Sequence, residues 1–136
     1  MMILFLDARV LIYRVEEVVP WNAHLTKLLA NLRRKYAGLQ LAVSRLSHLE
    51  CHVQPLRDSD DALLARYDAL FAAPELHNVD IDANVIEGAT RIRAQFGLRA
   101  PDAIQAASCL SLGAEHIFLT NDAAFRRVPK LALRIL

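Results

Sequence analysis

Little in this chain could build a fibrous, disulfide-stapled or membrane-spanning protein. Cysteine occurs twice, glycine four times and proline five times in 136 residues. Cys51 and Cys109 both fall in helical pattern, with no second cysteine or histidine at metal-ligand spacing. That excludes a disulfide framework and predicts buried thiols in a reducing compartment. The scarcity of glycine and proline excludes collagen-like and low-complexity chains. No apolar run approaches the roughly 20 residues needed to cross a bilayer. The opening MMILFLDARV has no basic segment ahead of its apolar run, and Asp7 cuts that run short, so it reads as a strand rather than a signal peptide. The expectation is a cytoplasmic protein with no membrane partner.

Excess charge of one sign is missing too. A net charge of +1 draws nucleic acid from no great distance, so such a partner would need a local basic patch. Arg33-Arg34-Lys35, the Arg91/Arg93/Arg99 group and Arg126-Arg127 with Lys130 are candidates, each equally readable as a solvated helix end or face. What the chain does have is apolar residues, 54% of the total and many of them alanine and leucine. Its length predicts one domain, residues 1–136, burying roughly 70% of the surface that the unfolded chain exposes.

Strand and helix signals alternate. Residues 2–6 form a continuous apolar run of the kind covered on both faces in a parallel sheet. A short helix over 9–15 follows, then a helix from Asn22 to Tyr36 with leucines at three- and four-residue spacing, ended by Gly38. Leu39–Val43 reads as a strand. Ser44 then caps a helix that passes Glu50 and stops near Val53, before Pro55. Asp58 to Ala72 reads as a helix with its acids in the first turn. A short strand at 77–80, a helix from Asp82 to Phe96 ended by Gly97, and a helix from Pro101 to Leu112 come next. Residues 116–120, a helical turn at 122–126 and a strand at 131–135 complete the pattern. The alternation predicts an α/β fold, a three-layer α/β/α sandwich with a mainly parallel central sheet.

Four isolated acids stand where these elements begin, end or turn inward: Asp7, Glu50, Asp102 and Asp122. Asp7 follows the first strand, where open α/β sheets bind ligands, but it can equally cap the next helix. Glu50 lies between Leu49 and Cys51, and exposure at the edge of an apolar stripe is the simpler reading. Asp102 behind Pro101 suits a helix dipole, and Asp122 can cap the turn after it. Taken singly each is better explained as structural. Taken together in one pocket they would repel, by roughly 4 kcal/mol per pair at 4 Å and an effective dielectric of 20. A divalent cation relieves such repulsion, and oxygen ligands favour Mg²⁺ or Mn²⁺. Of the five histidines only His48 and His52 share a helical face, with Glu50 pointing roughly opposite. Lacking further zinc ligands, they read as a surface pair.

The string LRAPDAIQAASCLSLGAEHIFLTNDAAFRRVPKL resembles the C-terminal half of PIN-domain ribonucleases, specifically the VapC-type toxins of VapBC toxin–antitoxin pairs. PDAI at a helix start, a small-residue helix, and a strand running into TND-x-x-F carry the resemblance. FLDARVLIY is similar to the family's opening strand and acid, and SRLSHLE to its internal glutamate helix. The resemblance implies that Asp7, Glu50, Asp102 and Asp122 form a metal-binding catalytic cluster, with Thr120 and Asn121 as neutral polar contacts around it. It implies Mg²⁺- or Mn²⁺-dependent hydrolysis of RNA, with water activated for in-line attack on a phosphodiester. A cognate antitoxin covering the pocket, through grooves beside helices 22–36 and 58–72, and a homodimer are further expectations.

One departure stands out. The family commonly places a small residue and then asparagine or serine after the first aspartate, where this chain has Ala8-Arg9. Arg9 could neutralise the cluster, point away, or clamp the scissile phosphate in bidentate fashion. The first of these defines an alternative function, a catalytically silent PIN-like binding module with Arg9 seated in the acidic pocket. A haloacid-dehalogenase-like phosphatase would need an aspartate at position 9, and a receiver domain paired acids and a late lysine that this chain does not place.

Overall fold

The computed structural model describes residues 1–113 and 115–136. Five strands form one all-parallel sheet: β1 (Ile3–Leu6), β2 (Gln40–Ser44), β3 (Leu76–Val79), β4 (His116–Thr120) and β5 (Leu133–Ile135), in the order β3-β2-β1-β4-β5. Six helices are interleaved with them: α1 (Ala8–Val15), α2 (Trp21–Lys35), α3 (Leu46–Arg57), α4 (Asp61–Ala72), α5 (Ala83–Phe96) and α6 (Ala100–Leu110). A 3₁₀ turn spans Ala123–Arg127.

Alternation along the strands builds two cores. Phe5, Ala42 and Phe118 face one side of the sheet, where they pack with Val85, Ala89 and Ile92 of α5 and Ala103, Ala106 and Ala107 of α6. Their neighbours Leu4, Leu6, Val43 and Leu119 face the other side, against Val10 and Leu11 of α1, Leu25 and Leu28 of α2, Cys51 of α3, and Tyr67 and Phe71 of α4. Both faces of the sheet are covered, which is why its strands read as apolar runs. The result is the expected three-layer α/β/α sandwich. Small residues on α6 let it lie close to α5: the Cβ that Gly88 lacks would sit 3.4 Å from that of Ala107.

Most boundaries fall within a residue or two of the sequence reading, and the departures around α3 have a physical reason. Ser44 is the last residue of β2, fully buried, although its Oγ still accepts from Leu46 N–H at 3.1 Å. Helix α3 does not stop before Pro55 but runs through it to Arg57. Pro55 forfeits one helical hydrogen bond, yet it continues the buried stripe Ser47–Cys51–Pro55 at four-residue spacing, and that packing holds the last turn. Asp58 accordingly ends α3, and it is Asp60 that caps α4 by accepting from Leu63 N–H.

Candidate functional site

The strand order turns back at β1, whose neighbours β2 and β4 are reached by crossovers in opposite directions. Beyond the carboxyl ends of β1 and β4 lies a cleft of about 500 Å³, lined by Asp7, Ala8, Arg9, Ile12, Tyr13, Glu50, Arg99, Asp102, Thr120, Asn121 and Asp122. All seven residues singled out from sequence meet there. A larger groove of about 850 Å³ runs between α5, α6 and Val128–Lys130 and contains none of them.

Asp7 is held on both oxygens. Its Oδ1 accepts from Ala8 N–H at 2.8 Å, and its Oδ2 accepts from the Thr120 hydroxyl at 2.7 Å. Register makes the second contact inevitable, since Leu6 pairs with Leu119 and the chains continue side by side. Burial pushes the Asp7 carboxyl up to about 6, against the two hydrogen bonds that favour its charged form; Glu50 and Asp102 raise it further. Thr120 is fully buried and also accepts from Asp122 N–H at 3.1 Å. Asn121 donates to the Tyr13 hydroxyl at 3.0 Å, and the Tyr13 ring stacks on Trp21. Asp122 is exposed at the rim, where it caps the 3₁₀ turn through Ala124 N–H.

Glu50 is partly buried, not exposed as its apolar neighbours suggested. It is aimed by Gln105, a fully buried side chain whose Nε2 donates to Glu50 Oε1 and to Ser47 Oγ, both at 2.9 Å. The amide must present nitrogen rather than oxygen to a carboxylate, so Glu50 sets its orientation. One turn deeper, Ser108 Oγ lies 3.1 Å from Ser44 Oγ. Ser44 thus meets Ser108, and Ser47 and Glu50 meet Gln105, two polar stripes laid antiparallel. The sequence reading missed Gln105, whose signal was a lone amide within the small-residue run AIQAASCL.

The arginines near the cleft play separate parts. Arg9 is exposed on the rim and makes no ion pair among the described residues. It is Arg99 that bonds a cleft acid, its Nε standing 3.3 Å from Asp102 Oδ2. The Arg91/Arg93/Arg99 group, a candidate basic patch, divides its contacts: Arg91 pairs with Glu87 and Arg93 donates to the Leu98 carbonyl. The histidine pair is not a surface pair either. His52 is buried and bonds Asp68 of α4, a partner that only the tertiary fold supplies.

The donor set suits a divalent cation. Four carboxylates face the cleft, and Asp7 carries its charge where burial and two further acids make that costly. Mg²⁺ retains several waters and binds through one or two carboxylates, which fits acids lining an open cleft.

A family model for the PIN domain matches residues 4–131. Solved structures with the same fold include VapBC2 from Rickettsia felis bound to a promoter DNA fragment, at TM-score 0.75 and 18% identity, covering 98% of each chain. VapBC-1 from nontypeable Haemophilus influenzae matches at 0.75 and 14%, again over 98% of each chain. A toxin–antitoxin complex from Klebsiella pneumoniae matches at 0.70 and 18%, over 96% of this chain and 94% of that one. No curated protein matches the sequence.

Proposed function

The chain belongs to the PIN domain family, and from that premise we propose that it is a single-domain, metal-dependent endoribonuclease acting as the VapC-type toxin of a toxin–antitoxin pair. The observation that carries this reading is the gathering of Asp7, Glu50, Asp102 and Asp122 around one cleft, with Asp7 raised to about 6 by burial. Asp7, Glu50 and Asp102 are the proposed ligands of Mg²⁺ or Mn²⁺, and Asp122 completes the set from the rim. The bound ion supplies Lewis acidity towards a phosphodiester and an acidified water.

The chain's own groups do the positioning. Thr120 and the Ala8 N–H fix the two oxygens of Asp7, and Gln105 fixes Glu50, so the ligands need little reorganisation. Arg9 stands exposed at the rim, placed to take a non-bridging oxygen of an RNA phosphate, and Arg99 could do so by exchanging its exposed bond to Asp102. The fold neighbours are toxin–antitoxin complexes, which supports a cognate antitoxin as partner. A homodimer and a cytoplasmic location belong to the same proposal. Among the described residues no helix is long and apolar enough to cross a membrane. The silent-module alternative needs Arg9 as counter-ion to the cluster, and no ion pair of that kind is present among the described residues.

The test is cleavage of a pool of transfer RNA and single-stranded RNA with Mg²⁺, Mn²⁺ or chelator, using antitoxin-free protein. Asp7→Asn and Asp102→Asn should each lower the rate at least about 100-fold, because losing even a group behind a ligand costs about 10- to 100-fold. Cleavage that survives chelation or both substitutions would refute the assignment.

A further inference from the structure

On the far face of α3 from Glu50, we infer that His48, His52 and Asp68 form a separate site for a borderline cation such as Zn²⁺, joining α3 to α4. These three are the one group among the described histidines, cysteines and acids whose ligating atoms lie within 4.8 Å of one another. The sequence spacing H-x-x-x-H sets the two imidazoles on one helical face, and they stack at 3.9 Å between centroids. The third ligand comes from α4, with Asp68 Oδ1 2.8 Å from His52 Nε2.

The geometry around His52 is that of a prepared ligand. Its Nδ1 lies 2.6 Å from the main-chain carbonyl of His48, and a carbonyl only accepts, so Nδ1 carries the proton. That leaves Nε2 directed at a carboxylate oxygen, a pairing that a proton or a metal ion must bridge. Ligating histidines characteristically hold their other ring nitrogen in such a bond to a carbonyl. The rings of Tyr67 and Phe71 wall the buried side of His52, at 5.8 and 5.7 Å, while Asp68 leaves the outer side open to water. Tetrahedral zinc, with bonds of about 2.0 Å, spaces its ligands by about 3.3 Å. His52 and Asp68 would part slightly to admit it, and His48 would turn in.

Two imidazoles select zinc, nickel or copper, whereas the carboxylate cleft selects Mg²⁺ or Mn²⁺. The two sites therefore differ in metal as well as place. Hydrolytic zinc chemistry of the H-E-x-x-H kind is not on offer, because the glutamate of HLECH stands two residues after the first histidine and faces Gln105 across the helix. The consequence is a clamp: it pins α3, whose opposite face presents Glu50 to the cleft.

The test is calorimetric titration of chelator-stripped protein with Zn²⁺ in excess Mg²⁺, with melting temperature as a second readout. One equivalent should bind and raise the melting temperature. His48→Ala and Asp68→Asn, the two less buried partners, should each weaken Zn²⁺ at least about tenfold and remove the rise. Asp7→Asn should leave Zn²⁺ binding intact. No heat of binding, affinity unchanged in both variants, or affinity lost in Asp7→Asn would each overturn the inference.

Discussion

Asp7 offers the sharpest measurement. Burial raises its carboxyl from 3.8 to about 6, so the folded chain holds this proton more tightly than the unfolded chain does. Stability from that proton is complete below about pH 4 and is lost as pH climbs through about 6. At about 1.4 kcal/mol per pKa step, ionising Asp7 in the metal-free fold costs about 3 kcal/mol. Asp7→Asn keeps a neutral group of the same shape and escapes that loss. Urea unfolding of both proteins in chelator, from pH 4 to 8, should find them nearly equal at pH 4 and the variant more stable by up to about 3 kcal/mol at pH 7.5. Comparing the two removes the other carboxylates from the difference. Saturating Mg²⁺ should then stabilise the wild type alone, by mass action on the folded state. A stability difference that stays flat from pH 4 to 7 would mean that Asp7 ionises as it does in a peptide, and the account of the cleft as a place hostile to uncompensated charge would fail.

Thr120→Val removes the hydroxyl that favours the Asp7 carboxylate, so the Asp7 midpoint should move above about 6 in a carbon-detected NMR titration; an unchanged midpoint would show the bond to be idle. Gln105→Leu should weaken Mn²⁺ about tenfold by calorimetry, since Glu50 loses its donor. It should also cost about 1–3 kcal/mol of stability, because Ser47 and Glu50 are left unpaired. Arg99→Gln should change stability by under about 1 kcal/mol, since the pair it breaks is exposed on the arginine side, while raising the KM for RNA; equal KM values would remove Arg99 from substrate binding. Burial pushes the thiols of Cys51 and Cys109 up to about 12, so iodoacetamide at pH 8 should label neither until urea is added.

What could be read ahead of the structure was whatever depends on neighbours in sequence. Apolar runs at β1 and β4, the leucine spacing of α2 and the glycine ends of α2 and α5 are local, and each lies within a residue or two of its expected place. So is the placing of Asp7 and Thr120–Asp122 at strand ends, which a parallel sheet turns into one cleft. Facts that depend on a second element were hidden. Glu50 looked exposed because its partner, Gln105, is 55 residues away on α6. His52 looked like surface because Asp68, Tyr67 and Phe71 belong to α4. Pro55 looked like a stop because local propensity counts the lost hydrogen bond and not the packed stripe that outweighs it. In each case sequence showed a polar residue or a breaker without its compensation, and compensation across elements is what a single chain conceals.

The same logic bears on the proposed metal site. Four acids and two arginines line it, so with every group ionised the balance is four negative against two positive, a net charge of −2. Neither arginine settles that charge internally. Arg9 pairs with no acid among the described residues, and the Arg99 side chain is 79% exposed where it meets Asp102, so water and salt screen most of that attraction. An internal counter-ion would have to be buried beside Asp7, where the cost of charge is greatest, and the groups found there are the Thr120 hydroxyl and a main-chain N–H. Neutral donors fix the positions of the carboxylate oxygens without cancelling their charge. Such an arrangement supports the proposed divalent cation, whose two charges would match the deficit, and it leaves Arg9 without an acid partner among the described residues.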